Sequence, residues 1–253
     1  MVRQTACQME AGLVVEDATH DVRIQTIAGN VRQVLETIQQ TTQRVGREAE
    51  TVRLVAATKQ MAAESVRRAY QAGIRFCGEN RLQEAQTKMA DLGDCPELAW
   101  HFIGRVQRRK IKSLVGRFVL IHSVESVEQA VEIDGRACEA GIIQSVLLEV
   151  NVGQEASKGG FSPADVLAAL PVLDPMPHLQ IQGLMMLPPW TPNPENARPY
   201  FRQLRKLAQD IKRMRLEHVR MNELSMGMTH DYPIAIEEGA TIVRVGTGIF
   251  GPR

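Results

Sequence analysis

Arg53-Leu-Val-Ala-Ala-Thr-Lys59 is a short apolar run closed by a lysine, and Arg75-Phe-Cys-Gly-Glu-Asn80 repeats that design after a helical interval over about 62–72. Short apolar runs bounded by polar turn residues read as buried strands. Two such strands joined by a helix form one right-handed parallel crossover. Working outward, the unit recurs toward the C-terminus. A helix runs to about Leu92, then the run Ala99–Ile103 precedes a helix over about Arg105–Val115. The run Phe118–Ile121 precedes a helix over 125–140, and Ser145–Val150 precedes one over about 163–170. Ile181–Leu187 leads through a Pro-rich loop to a helix with Phe201, Leu204, Leu207, Ala208, Ile211 and Met214 at helical spacing. A seventh run ends in Glu223-Leu-Ser225 before a helix over about 231–238, and Thr241–Val245 is the eighth, closed by Gly246-Thr-Gly-Ile-Phe-Gly251. Toward the N-terminus, Ile24, Ile27, Val31, Leu35 and Ile38 predict one amphipathic helix from Val22 to about Arg47. Eight strand–helix units predict a single (β/α)8 TIM-type barrel with an additional N-terminal helix. An open doubly wound sheet carries fewer strands and a Gly-rich first turn, and this chain has neither GxGxxG nor GxxxxGK[ST].

The composition agrees with that class. The chain has 253 residues, 44% hydrophobic and 23% charged, with a net charge of +1. This excludes a fibre, a disordered chain and a disulfide framework. The charge balance gives no support to nucleic-acid or anionic-membrane binding. Four cysteines, Cys7, Cys77, Cys95 and Cys138, show no metal or redox spacing, so reduced thiols are expected. No apolar run approaches membrane-span length, and no secretory leader is evident. A cytoplasmic monomer is expected, with residues 1–21 a loosely ordered extension and 22–253 the barrel.

In such barrels chemistry gathers at the C-terminal ends of the strands. The polar residues closing the apolar runs are Lys59, Asn80, His101, His122 and Ser123, Asn151, Ser225, Arg244 and the Gly246–Gly248 turn, with Met185 among them. An amine at a partly desolvated mouth has its charged form disfavoured, and a neutral amine attacks a carbonyl to give a Schiff base. Lys59 is placed for that role; the alternative is a loop lysine whose head reaches water. Ser225-Met-Gly227 after strand seven and Gly246-Thr-Gly248 after strand eight offer a hydroxyl and unobstructed backbone N–H groups. Barrels commonly bind phosphate between the loops of these two strands. The alternative is that these glycines only permit tight turns.

Strand one neighbours strand eight in a closed barrel, so Lys59 would stand beside the phosphate-binding turns. A ligand carrying both an aldehyde and a phosphate fits, either pyridoxal 5′-phosphate or a phosphosugar handled by an aldolase. Arg244, two residues before the glycine turn, would point into the mouth. A ring nitrogen facing a permanent cation stays unprotonated, which makes a pyridoxal ring a poorer electron sink. The alternative for Arg244 is a buried ion pair with a carboxylate of a neighbouring strand. Glu79, Glu149 and Glu223 are the strand-end carboxylates an aldolase would use. The basic residues Arg105, Arg108, Arg109, Lys110, Lys112 and Arg117 read as a solvated face, and Leu187–Pro194 as a stiff long connection.

The assembled motifs resemble the pyridoxal phosphate homeostasis protein family, whose fold is that of the alanine racemase N-terminal domain. They are Val55-Ala-Ala-Thr-Lys59, Gly78-Glu-Asn80, Trp100-His-Phe-Ile-Gly104 with Gln107 and Lys110, and His122-Ser-Val124. They continue with Val150-Asn151, Glu155-Ala-Ser-Lys-Gly159, Gly183-Leu-Met185, Leu224-Ser-Met-Gly-Met228 with Asp231, and Val243-Arg-Val-Gly-Thr-Gly-Ile-Phe-Gly251. The resemblance spans about residues 22–251. It implies that Lys59 is the Schiff-base lysine and that Ser225, Gly227, Gly246 and Thr247 hold the phosphate. It implies further that Arg244 faces the pyridine nitrogen and that Asn80, His101 and Met185 line the pocket. The chain departs from many members in having Met61 where they have a lysine. It also has Arg105-Val-Gln-Arg-Arg-Lys110 where they have Pro-Leu-Gln-Ser-Asn-Lys.

The family implies a cofactor carrier that buffers or delivers pyridoxal phosphate to apo enzymes, affecting amino-acid and keto-acid balance, rather than an enzyme. The alternative is a pyridoxal-phosphate-dependent amino-acid racemase. That needs a second base, supplied in alanine racemases by a tyrosine of an additional C-terminal domain, for which this chain is expected to leave no room. Of Tyr70, Tyr200 and Tyr232, only Tyr232 stands near a strand's C-terminal end.

Overall fold

Strand β1 (Arg53–Ala57) hydrogen-bonds to neighbours on both sides, β2 (Phe76–Glu79) and β8 (Ile242–Val245), and every pairing in the sheet is parallel. The computed structural model describes residues 18–155 and 158–252. The order β1-β2-β3-β4-β5-β6-β7-β8 closes on itself, with β3 Ala99–Phe102, β4 Leu120–Val124, β5 Gln144–Glu149, β6 Leu179–Met185 and β7 Val219–Met228. The (β/α)8 barrel read from the sequence is the fold observed. Closure leaves no unpaired edge, so short strands of four to ten residues suffice.

Helices α2 (Ala63–Gln71), α3 (Leu82–Asp91), α4 (Ile111–Leu114), α5 (Val127–Glu139), α6 (Pro163–Leu173), α7 (Arg198–Arg213) and α8 (Tyr232–Glu237) connect the strands, and α9 (Thr247–Phe250) follows β8. Residues alternate along each strand between two cores. One core lies between the sheet and the helices, where Ala56, Cys77, Phe102, Ile121, Leu148 and Met186 pack. The other fills the lumen with Val55, Leu120, Leu147, Met185 and Ile242, capped by Phe76. Helix α1 (Ala18–Arg44) lies against α2, α8 and α9. Its docking is anchored by Asn30 donating to the Ile249 carbonyl and by Arg47 donating to the Ile236 and Ala240 carbonyls.

Several boundaries differ from expectation for identifiable reasons. Helix α1 begins at Ala18 rather than Val22; the rest of the expected 1–21 extension, residues 1–17, lies outside the described residues. On α1, Val31 and Ile38 are buried, but Val34 joins them while Leu35 turns to solvent. The helix expected over 105–115 is one 3-10 turn at Arg108–Lys110 followed by α4. Only Ile111 and Leu114 in it reach the core, too few to bury a longer helix among so many cations. Strand β4 starts at Leu120, where it meets His101 of β3, two residues later than the apolar run suggests. Phe118 instead packs its ring on Phe102, 5.3 Å away. Met214, expected in the apolar stripe of α7, is half exposed, whereas the other five are buried.

Gly183 marks a register shift on both sides of β6. A Cβ there would overlap the Glu223 carbonyl oxygen of β7. Gly183→Ala is expected to destabilise the barrel by about 1–3 kcal/mol through forced separation of β6 and β7. Urea denaturation should show a lower midpoint at unchanged slope.

Candidate cofactor site at the barrel mouth

The mouth is built from the residues that leave each strand in phase with the lumen. On β1 the phase Arg53, Val55, Ala57 brings Lys59 to the lumen side of the turn that follows, where it is half-buried. On β2 the phase Phe76, Gly78 brings Asn80 to the same rim. Gly78 is small by need, since a Cβ would press on Val55 and Ile103 at 2.9 Å. Because β1 and β8 pair with Val55 opposite Arg244 and Ala56 opposite Val245, the turn at Lys59 and the turn at Gly246 leave adjacent strands.

Below the rim a polar column crosses the lumen. Arg244 is buried and donates to neutral groups, the Ser225 hydroxyl and, at 2.9 Å, the Met186 carbonyl. The Ser225 Oγ lies 2.9 Å from His122 Nδ1, and His122 Nε2 lies 2.8 Å from His101 Nδ1. A guanidinium only donates, so the Ser225 oxygen accepts from Arg244, and His122 bridges Ser225 and His101. His101 Nε2, at the far end of the column, is buried without a partner, as is Asn80 Oδ1. Both rings are neutral: burial holds the His101 pKa at about 3, and burial with the nearby His101 lowers that of His122 well below its usual value. Burial also lowers Arg244, to about 10, so the guanidinium keeps its charge at neutral pH.

At the rim of β7 and β8 the backbone N–H groups of Gly246 and Gly248 converge on one hydroxyl oxygen, Thr229 Oγ1, at 3.3 and 3.2 Å. The turns approach so closely that a Cβ at Gly248 would meet Val245 at 2.9 Å and Thr229 at 3.1 Å. Gly227, at φ +93°, passes so close to Tyr232 and Ala235 of α8 that no side chain fits. The two amides hold the Thr229 oxygen, which leaves the hydroxyl hydrogen free to be donated to an anion at the rim.

The structure brings together Lys59, Asn80, Gly227, Gly246 and Thr247 at the mouth, with His101, Met185, Ser225 and Arg244 beneath it. The Ser225 hydroxyl is engaged inside the lumen by Arg244 and His122, and a rim hydroxyl belongs to Thr229, which the sequence reading missed. Its position directly after β7 was the available signal. His122 also lies within β4 rather than at its end. The three candidate carboxylates separate. Glu223 pairs with Arg53 in the lumen; Glu79 and Glu149 both close their strands, but Glu79 faces outward to Lys88, and the pKa of Glu149 is raised by burial. The ion pair considered for Arg244 is not formed, because its donors go to neutral groups. Asn151 folds its own loop, donating to the Glu155 carbonyl at 2.9 Å. Beside Asn80 opens a cleft of about 500 Å³ lined by Arg81, Arg105, Gln107 and Lys110.

His101 carries a testable consequence. The unfolded chain binds a proton at this ring below about pH 6.5, the native one only near 3. Stability therefore falls as pH drops through that window. His101→Gln should shrink the loss between pH 7 and pH 5 by about 2 kcal/mol, read from urea midpoints at the two pH values.

Comparison with known proteins places this geometry in context. The family model described as alanine racemase, N-terminal domain matches residues 33–253. A pyridoxal phosphate homeostasis protein of Aquifex aeolicus is 46% identical over 220 residues, 87% of this chain and 95% of the relative. A crystal structure of a protein from Bifidobacterium adolescentis superposes with a TM-score of 0.86 at 37% identity, covering 95% of this chain and 99% of that one. The PipY protein of Synechococcus elongatus, in a structure with pyridoxal phosphate bound, superposes with a TM-score of 0.74 at 40% identity. It covers 79% of this chain and 93% of its own.

Proposed function

This chain belongs to the pyridoxal phosphate homeostasis protein family, on the alanine racemase N-terminal domain fold, and from that premise we propose that it holds pyridoxal 5′-phosphate on Lys59 and buffers or delivers the cofactor inside the cell. The observation that supports the reading is the pairing of β1 with β8, which brings the turn carrying Lys59 beside the turn carrying Gly246 and Gly248. Two orphaned buried polar atoms at the site, Asn80 Oδ1 and His101 Nε2, fit a polar ligand that would satisfy them.

The bound cofactor supplies an aldehyde that condenses with a primary amine, losing one water. The chain's own groups do the rest. Lys59 presents the amine from the rim. The Thr229 hydroxyl, its oxygen held by the Gly246 and Gly248 amides, would donate to the phosphate, with the turns at Gly227 and Thr247 enclosing it. Ser225 orients Arg244 through its hydroxyl. Arg244 keeps its proton and discourages protonation of a ring nitrogen opposite it. Asn80, His101 and Met185 line the pocket. The column beneath the site is neutral apart from Arg244, so it offers no ready proton donor or acceptor near pH 7.

This arrangement favours a carrier over an amino-acid racemase. Tyr232 is buried against Gly227 at the start of α8, and Tyr70 packs with Arg75, 4.7 Å from its ring, outside the barrel. Delivery to apo enzymes and a cytoplasmic setting belong to the same proposal.

Borohydride reduction of the protein mixed with pyridoxal phosphate, followed by peptide mapping, should place the adduct on Lys59. Lys59→Ala should lose the adduct yet keep the barrel's circular dichroism. An adduct elsewhere, or turnover of amino-acid enantiomers by the wild-type chain, would replace this reading. Thr229→Ala should weaken cofactor binding by about 10-fold or more, since a hydrogen bond to a charged group contributes about 1.5–3 kcal/mol. Titration of the cofactor's absorbance measures that loss.

A further inference from the structure

The turn that carries Lys59 is tied from behind. Its neighbours are Thr58 and Gln60, and Gln60 sits at φ +63°, a left-handed conformation unusual for a residue with a side chain. On the helix side of the barrel wall lies a cluster of Lys88 and Glu84 from α3 and Glu79 from the end of β2. Lys88 Nζ donates to Glu79 Oε1 at 2.7 Å, to Glu84 Oε1 at 2.6 Å and to the Thr58 carbonyl. The Thr58 hydroxyl donates to the same Glu79 oxygen at 2.6 Å, and the Gln60 backbone N–H donates to Glu84. Lys59 is therefore flanked on both sides by residues bound to one charged cluster.

The cluster is buried. Glu79 is fully inaccessible and the Lys88 side chain only 6% exposed. Taking such charges out of water costs several kcal/mol per ion, and apolar residues of equal volume are often as stable. What charges add is direction: an ammonium has three donors, and here all three are used, one of them on the Thr58 carbonyl next to Lys59. We propose that Lys88 is a positioning residue for Lys59, fixing the Thr58–Gln60 turn so that the Lys59 amine meets the carbonyl carbon of a phosphate-anchored aldehyde. The proposal rests on the function proposed above.

The test separates capture of the aldehyde from binding of the phosphate in the full chain. Lys88→Met removes the three donors and keeps the length. Borohydride-trapped adduct at Lys59 should form on the order of 100-fold more slowly, the size of effect expected from misplacing a reacting group by about 1 Å. Affinity for pyridoxine 5′-phosphate, which has the phosphate and no aldehyde, should stay as in wild type. An unchanged trapping rate in folded Lys88→Met overturns the proposal. So does parallel weakening of both probes, which is what a merely structural role predicts. If Lys88→Met does not fold, Glu84→Ala decides: it frees the Gln60 amide while sparing the Lys88–Glu79 pair. It should slow trapping at unchanged pyridoxine phosphate affinity, and a wild-type rate overturns the idea. If the wild-type chain itself traps no adduct at Lys59, the proposed function fails, a result distinct from either variant outcome.

Discussion

The hydrogen bonds between β1 and β8 are the constraint on which the rest of the molecule depends. They begin where Arg53 donates to the Thr241 carbonyl at 2.8 Å and continue through Val55 opposite Arg244. In an open sheet these two strands would be opposite edges, each with a row of unpaired donors and acceptors. Closed, they bring the Lys59 turn to the Gly246–Gly248 turn, although one belongs to the first unit and the other to the last. Neither turn is a site alone. A lysine at a loop is common, and a glycine turn at a strand end is often only a turn.

Closure also creates the lumen, and the lumen sets the electrostatics. Arg244 is the one group in its polar column that can only donate. Ser225, His122 and His101 follow from it in order along the column. Burial keeps both imidazoles neutral, and it also raises the pKa of Glu149 and Asp231, which feel Arg244 without touching it. The polar column therefore presents one permanent cation amid neutral side chains.

Much of this was legible along the chain. Eight apolar runs alternating with helical stretches defined the barrel, and Lys59, Asn80, Arg244 and the glycine turn followed as residues at run ends. The illegible parts share a cause. β4 was misplaced by two residues because Phe118 is as apolar as a strand residue, while its partner across the sheet is what starts the ladder. The 105–115 segment has enough helix formers, yet within its helical turns only Ile111 and Leu114 are buried. Thr229 was overlooked because strand β7 runs on to Met228 past two register shifts. Lys88 gave no signal at all, since nothing local says that a helical lysine is buried.

The amino-acid sequence by itself determined the period of each segment, the number of units and the residue types available at each strand end. Those are local properties, written in spacings of two and three to four residues. The tertiary structure alone decided which face each residue takes and which distant residues meet. It put Glu79 behind the wall and Asn80 at the rim, Ser225 beneath the mouth and Thr229 on it. The physical reason is that register between strands is a collective quantity. It is set by closing eight strands with their bulges into one barrel, and a shift of one residue anywhere moves a side chain to the other face.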